Sequence, residues 1–239
     1  PLMIATAIGQ IASTGVSLRQ YYTHLKQQVA IALETSGYGN GNVQTSVKRE
    51  TAMSVCLELA MDNAHAQGLA DILSAAAFVS AENIPFKLLG GDTESVEKLC
   101  MMNLLLRTGK ETYSMHRVHQ RTARDAIITS VTGGVDGASE EELEDFLCTP
   151  EQATLAMRAV LANFQAESCS TWRDARGCIP HMEALRVHHD ILHRKNQLPA
   201  NFNHGFYAEI IDSSASVLHW AMKDRDAAFA MFKESLRLQ

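Results

Sequence analysis

Two groups of residues in this 239-residue chain have types and spacing that could do chemistry. The first is Met115-His116-Arg117, where a short alternating segment gives way to a run with helical spacing. A helix N-terminus presents free N–H groups and a partial positive charge, so a histidine there can add a donor to a bound anion such as phosphate. The plainer role for the same residue is a cap. The second group is His188, His189 and His193. His189 and His193 lie four apart, on one face of a helix, as metal-binding pairs do. No glutamate stands at the catalytic place of an HExxH motif, no third ligand is evident, and Asp190 is read as facing away. The spacing therefore predicts partly exposed histidines on an amphipathic helix, and no metal.

Other chemistries lack a local signature. The chain has no GxSxG elbow, no Walker A sequence and no GxGxxG, so no set of reacting groups can be assembled and no enzyme activity is expected of it. The five cysteines, Cys56, Cys100, Cys148, Cys169 and Cys178, include no CxxC pair. They read as reduced side chains packed as small hydrophobes in a cytoplasmic protein. A net charge of -6 argues against nucleic acid as the main partner. Arg117, Arg121 and Arg124 recur on one helix, but Glu94, Glu97, Glu111 and Asp125 lie close in sequence and cancel them, so they read as a solvated face.

The elements that must position these residues follow from periodicity and punctuation. Residues 1–14 read as an apolar helix ending near Gly15, and Ser17 with Gln20 forms a capping box for the next. Pro1 opens directly into that first helix with no methionine, which predicts a later segment of a longer protein. The run is too short to span a bilayer. The turn-rich segment 36–42 looks like a phosphate cradle, but no Lys-Ser or Lys-Thr follows, so it reads as a loop. Helices are expected over 46–67, with Met53, Leu57, Met61 and Ala64 on one stripe, and over 69–79. Asn83-Ile84-Pro85 breaks the pattern, and a further helix runs over about 93–102. Leu104 to Thr108 reads as a strand, Gly109 to Glu111 as a turn, and the next residues as a second strand, a hairpin that suggests the wing of a winged helix.

Beyond a glycine-rich linker at 133–137 the remainder reads as helix. Ser139 with Glu142 and Thr149 with Gln152 are capping boxes, with Pro150 at a favoured first position. Met157, Val160, Leu161 and Phe164 mark a buried face. Further helices are expected from about Pro180 to Lys195, and over 206–222 and 225–238.

With these motifs in place, the chain resembles the STAND class of signal-transduction NTPases, in the NB-ARC form that continues into tetratricopeptide-like repeats. Four segments carry the resemblance, in order. Pro1-Leu2 and the apolar helix after it look like the end of the Gly-Leu-Pro-Leu motif, followed by the helix at 16–22. Residues 69–89, ending in Asn83-Ile84-Pro85-Phe86 and Leu88-Leu89, are similar to the winged-helix core. Tyr113 to Gln120 is similar to the Met-His-Asp position, with Arg117 where many members have Asp. Trp172 to His181 looks like the segment that precedes the repeats. Ala228, Phe232 and Ser235, with Ser216, have the spacing of a repeat's small and aromatic positions.

The resemblance implies a mainly α fold. Residues 1–45 would be the C-terminal part of an NB-ARC helical subdomain and 46–132 a winged-helix domain with a short β-hairpin. Residues 139–239 would be a helical, TPR-like bundle. It implies that Pro1 packs on adenine and that His116 contacts the β-phosphate of ADP in a closed state. ADP or ATP would be held by the full-length protein and by neither motif alone, so no cofactor is expected for the segment by itself. Expected partners are an upstream P-loop nucleotide-binding domain, a protein bound through the helical repeats, and further copies in a homo-oligomer, with no membrane. The competing readings are a winged-helix DNA-binding regulator and a nucleotide-independent helical adaptor.

Overall fold

The computed structural model describes residues 2–36, 45–131, 150–198 and 202–238. Among them the chain forms eleven α-helices: α1 (Leu2–Thr14), α2 (Leu18–Thr35), α3 (Thr45–Ala66), α4 (Ala70–Phe78), α5 (Phe86–Leu89), α6 (Thr93–Met101), α7 (Arg117–Val131), α8 (Pro150–Leu161), α9 (Cys169–Arg194), α10 (His204–Val217) and α11 (Arg225–Leu238). Three short strands, β1 (Ile84–Pro85), β2 (Leu106–Arg107) and β3 (Thr112–Ser114), make one antiparallel sheet in the order β1-β3-β2. The fold is thus mainly helical, as periodicity predicts. Most of the segment at 36–42, the linker at 133–137, Cys148 and the caps at Ser139, Glu142 and Thr149 lie outside the described residues.

The chain falls into two compact units, residues 1–70 with 92–106, and residues 71–91 with 107–239. In the first, α3 packs against α1 and α2, and α6 against α1. Gly15, at a φ of 70°, ends α1. The Ser17 hydroxyl then accepts the Gln20 N–H at 3.3 Å while the Gln20 side chain accepts the Ser17 N–H at 3.0 Å. That reciprocal box satisfies two N–H groups that the helix itself cannot. The first helix differs from its reading as an apolar core element. Its buried positions are Thr6, Gly9 and Gln10, and Ile4 and Ile8 face outward. Gln10 donates to the Cys56 carbonyl at 3.4 Å, and Tyr21 lies 3.3 Å from the Cys56 sulfur. Close approach of backbones, rather than apolar bulk, decides which face of α1 is buried.

The expected strand at 104–108 is shorter than its composition suggests. Leu104 and Leu105 are buried and send their N–H groups back to the Leu99 carbonyl, at 3.0 and 3.2 Å, so pairing begins only at Leu106.

In the second unit the turn after Arg107 is closed by the Thr108 and Gly109 N–H groups on the Thr112 carbonyl, at 2.9 and 3.1 Å. β3 also pairs with β1, placing Ile84 opposite Tyr113, both buried. Asn83 reaches this strand through a positive φ of 57°, a conformation that asparagine tolerates better than most residues. Phe86 to Leu89 closes into one helical turn, α5, ended by Gly90 at a φ of 70°. Among the later helices, α8 packs against α5, α9 and α10, and α10 packs along α11. The buried face of α8 is Ala153, Thr154, Met157 and Leu161, with Val160 and Phe164 half-buried.

Pro180 is not a helix start. It lies inside the 26-residue α9, where it removes one N–H and crowds the carbonyl four residues back, at a cost of about 3 kcal/mol. The helix continues through it because Ala175, Cys178 and Ile179 before it, and His181, Met182 and Leu185 after it, are all buried. In the last pair of helices Ala228 and Ser235 are buried, and the Ser235 hydroxyl donates to the Ala208 carbonyl at 3.1 Å. The buried small residues of α10 are Ala208, Ser214 and Ala215, with Ser216 only half-buried. Among the described residues no helix is long and apolar enough to cross a membrane. Of the described cysteines, Cys56 and Cys178 are buried as expected, whereas Cys169 is exposed.

Candidate functional site

His116 sits where β3 ends and α7 begins. Tertiary hydrogen bonds from three residues place it there. Met115, buried, donates its N–H to the Ala81 carbonyl at 2.9 Å, which ties the chain leaving the hairpin to the segment leading into β1. Four residues on, the buried Gln120 amide donates to the Ala76 and Val79 carbonyls, at 2.8 and 3.0 Å, and the Arg124 guanidinium donates to the Ala77 carbonyl. Those carbonyls end α4 and have no partners within it, and a cation suits the negative end of that helix. The N-terminal part of α7 is thereby fixed to the C-terminus of α4.

His116 itself is the cap of α7. Its carbonyl accepts the Gln120 N–H at 3.0 Å and its Nδ1 accepts the Val118 N–H at 3.2 Å. A ring that accepts at Nδ1 and is neutral carries its proton on Nε2, a tautomer assigned from this geometry. The side chain is exposed, so Nε2–H remains as a donor at a helix N-terminus. Capping and anion contact are therefore compatible in one residue. Arg117 is exposed beside it and lines a cleft of about 510 Å³ together with Gln120, Arg124, Glu82, Glu183 and His188. Pro1, the other nucleotide-contacting position implied by the resemblance, lies outside the described residues.

The three arginines of α7 do not form one solvated face. Arg117 and Arg121 are exposed, but Arg124 is half-buried on the end of α4. A second cleft, of about 890 Å³, lies between the hairpin and α9 and has Lys87, Lys110, Arg173, Glu111, Asp174 and His181 in its wall. Lys87 and Asp174 pair across it at 2.6 Å, and both are largely exposed. His181, buried on α9, donates from Nε2 to the Asn83 carbonyl at 3.1 Å. Sequence reasoning missed the roles of Gln120, Arg124 and His181, because each bonds a carbonyl more than forty residues away.

The histidines of α9 also depart from expectation. His189 is buried and stacked on Tyr207, with ring centroids 3.9 Å apart, and His188 is half-buried, edge-on to Phe78 at 5.9 Å. Burial, with the nearby Arg124 charge adding, pushes the His188 imidazole down to about 4. Burial likewise lowers His181 and His189 below the ordinary histidine range. All three are neutral in the folded protein at neutral pH. An unfolded chain takes up protons on these rings near 6.5, so the unfolded state binds more protons below that pH. Stability of the second unit should therefore fall as pH drops from about 6.5 toward 4. Urea midpoints at pH 7.5 and pH 5 measure this, and His188→Gln should flatten the dependence.

Comparisons of the chain with protein-family models, with curated proteins and with solved structures found no match.

Proposed function

We propose that this chain is the regulatory segment of a nucleotide-switched signalling ATPase of the cytoplasm, not catalytic by itself. In this reading the helix–hairpin part senses bound ADP and the C-terminal helices bind a protein partner. The observation that carries the reading is the geometry of His116: an exposed ring that caps α7 through Nδ1 and keeps Nε2–H free at a helix N-terminus. The α10–α11 hairpin, with Ala228 and Ser235 buried between its helices, supports the repeat-like part.

ADP would bridge an upstream P-loop domain, Pro1 and His116, and so favour a closed form. Exchange for ATP would release that contact and permit homo-oligomerisation. Such a switch works only if ADP binds the closed arrangement better than the open one. Arg117, standing beside His116, would take part in the phosphate contact with a sign opposite to that of the aspartate common in the resembled family.

His116→Asn separates the two roles of the histidine. Asparagine is among the best N-caps, so the helix start is kept while the Nε2 donor is lost. In the protein carrying its P-loop domain, this variant should release ADP about tenfold faster or more, the worth of one hydrogen bond to a charged group. Thermal stability should be unchanged. Unaltered ADP release would reject the reading. Partner binding by the C-terminal helices that ignores added nucleotide would favour the helical adaptor instead.

A further inference from the structure

We propose that the stack of His189 on Tyr207 is an acid-operated latch, which holds the C-terminal end of α9 to the first turn of α10 while the His189 ring is neutral and releases it when that ring takes up a proton. The inference stands independently of the nucleotide-switch reading. The two rings lie 21° from parallel with centroids 3.9 Å apart. Phe202 stands against both, at 5.3 and 6.0 Å, and all three side chains are buried.

The second observation is that this stack buries three polar atoms without a hydrogen-bond partner, both nitrogens of His189 and the Tyr207 hydroxyl. Opening would hydrate all three, so the closed form rests on packing and not on polar contacts. A neutral ring can be held this way. An imidazolium carries two N–H donors and a charge, and burying it with no acceptor costs far more. Asp190, contrary to its reading as facing away, places Oδ1 3.6 Å from His189 Nδ1. That is too long for a hydrogen bond, and the carboxylate is exposed, so solvent screens its charge.

Two further rings crowd the latch, His193 of α9 and His204 of α10, each with its centroid 6.0 Å from that of His189. Among the described residues no group of three or more His, Cys, Asp or Glu can hold a metal ion, so this crowding acts through charge. Asp190 favours a charge on His189, His193 and His204 oppose it, and burial, the largest influence, keeps the ring neutral. Tyr207 stays uncharged, its hydroxyl held protonated by burial. Arg186 of α9 pairs with Glu234 of α11 at 3.0 Å, and Arg158 of α8 with Glu209 of α10 at 2.6 Å. These pairs cancel their own charges and keep α10 and α11 in place while the first turn of α10 opens. With the ring in water, the open form binds more protons than the closed form, so falling pH favours opening.

Native-state hydrogen exchange of the full chain at pH 7.5 and pH 5.5 tests the latch, each rate being divided by the intrinsic exchange rate at that pH. The Tyr207 amide, bonded to the Asn203 carbonyl at 3.2 Å, reports the first turn of α10. With an ordinary histidine near 6.5 in the open form, its opening equilibrium should rise about tenfold at the lower pH. His189→Gln is neutral at both pH values and should remove that rise. His188→Gln, whose ring stands against Phe78 and away from the stack, should leave it in place. Equal opening at both pH values would overturn the proposal, as would a rise that survives in His189→Gln or is lost in His188→Gln. The comparison in the unaltered chain decides by itself should His189→Gln fail to fold.

Discussion

Gly9→Ala should destabilise the first unit by about 2–3 kcal/mol, although alanine is the better helix former. A Cβ at this position would stand 2.5 Å from the Met102 carbonyl carbon and 2.6 Å from its oxygen. Those are backbone atoms at the end of α6, so no side chain can turn aside. The helices must separate instead. Separation also strains the Asn103 side chain, which donates to the Ala5 carbonyl at 2.8 Å, and loosens the buried Thr6 and Gln10. Gly177→Ala is the internal control. It lies inside α9, nothing stands within 4 Å of its added Cβ, and it should stabilise the second unit by about 0.5–1 kcal/mol. Urea denaturation of both variants measures the contrast, and equal effects would contradict the packing of α1 on α6.

Gln120→Met should cost about 2–4 kcal/mol. The substitution keeps the side-chain volume and removes the donor, leaving the Ala76 and Val79 carbonyls buried without that partner. The Arg124 contact with Ala77 remains, so the end of α4 loses part of its cap and not all of it. Because Gln120 lies one turn beyond His116, the effect should also reach the candidate site. Hydrogen exchange at the Val118 and Gln120 amides, which bond to His116, should accelerate more than exchange in α10 or α11. A uniform change across the second unit would mean that Gln120 supports the core generally and does not position α7.

These two residues mark the limit of what local pattern conveys. Glycine within an apolar helical run says that the backbone is permissive there, and not which neighbour approaches it. Glutamine at the fourth position of a helix reads as polar surface until a second helix end, more than forty residues earlier in the chain, is packed against it. The arginines of α7 show the same ambiguity, since only packing separates the buried-end Arg124 from the exposed Arg117 and Arg121.

What the sequence by itself determined is what short-range geometry encodes. Helical periodicity, the Ser17–Gln20 capping box, the hairpin turn at Gly109 and the cap at His116 depend on residues within a few positions of one another. Steric and hydrogen-bonding rules act there without reference to the rest of the chain. The tertiary structure alone decided which faces are buried. It turned Ile4 and Ile8 outward, carried α9 through Pro180, buried His189 against Tyr207 and brought His204 to the His189–His193 pair. Each of these follows from contacts between segments far apart in sequence, whose outcome depends on how volumes and unpaired polar groups fit together. No spacing rule along the chain contains that information.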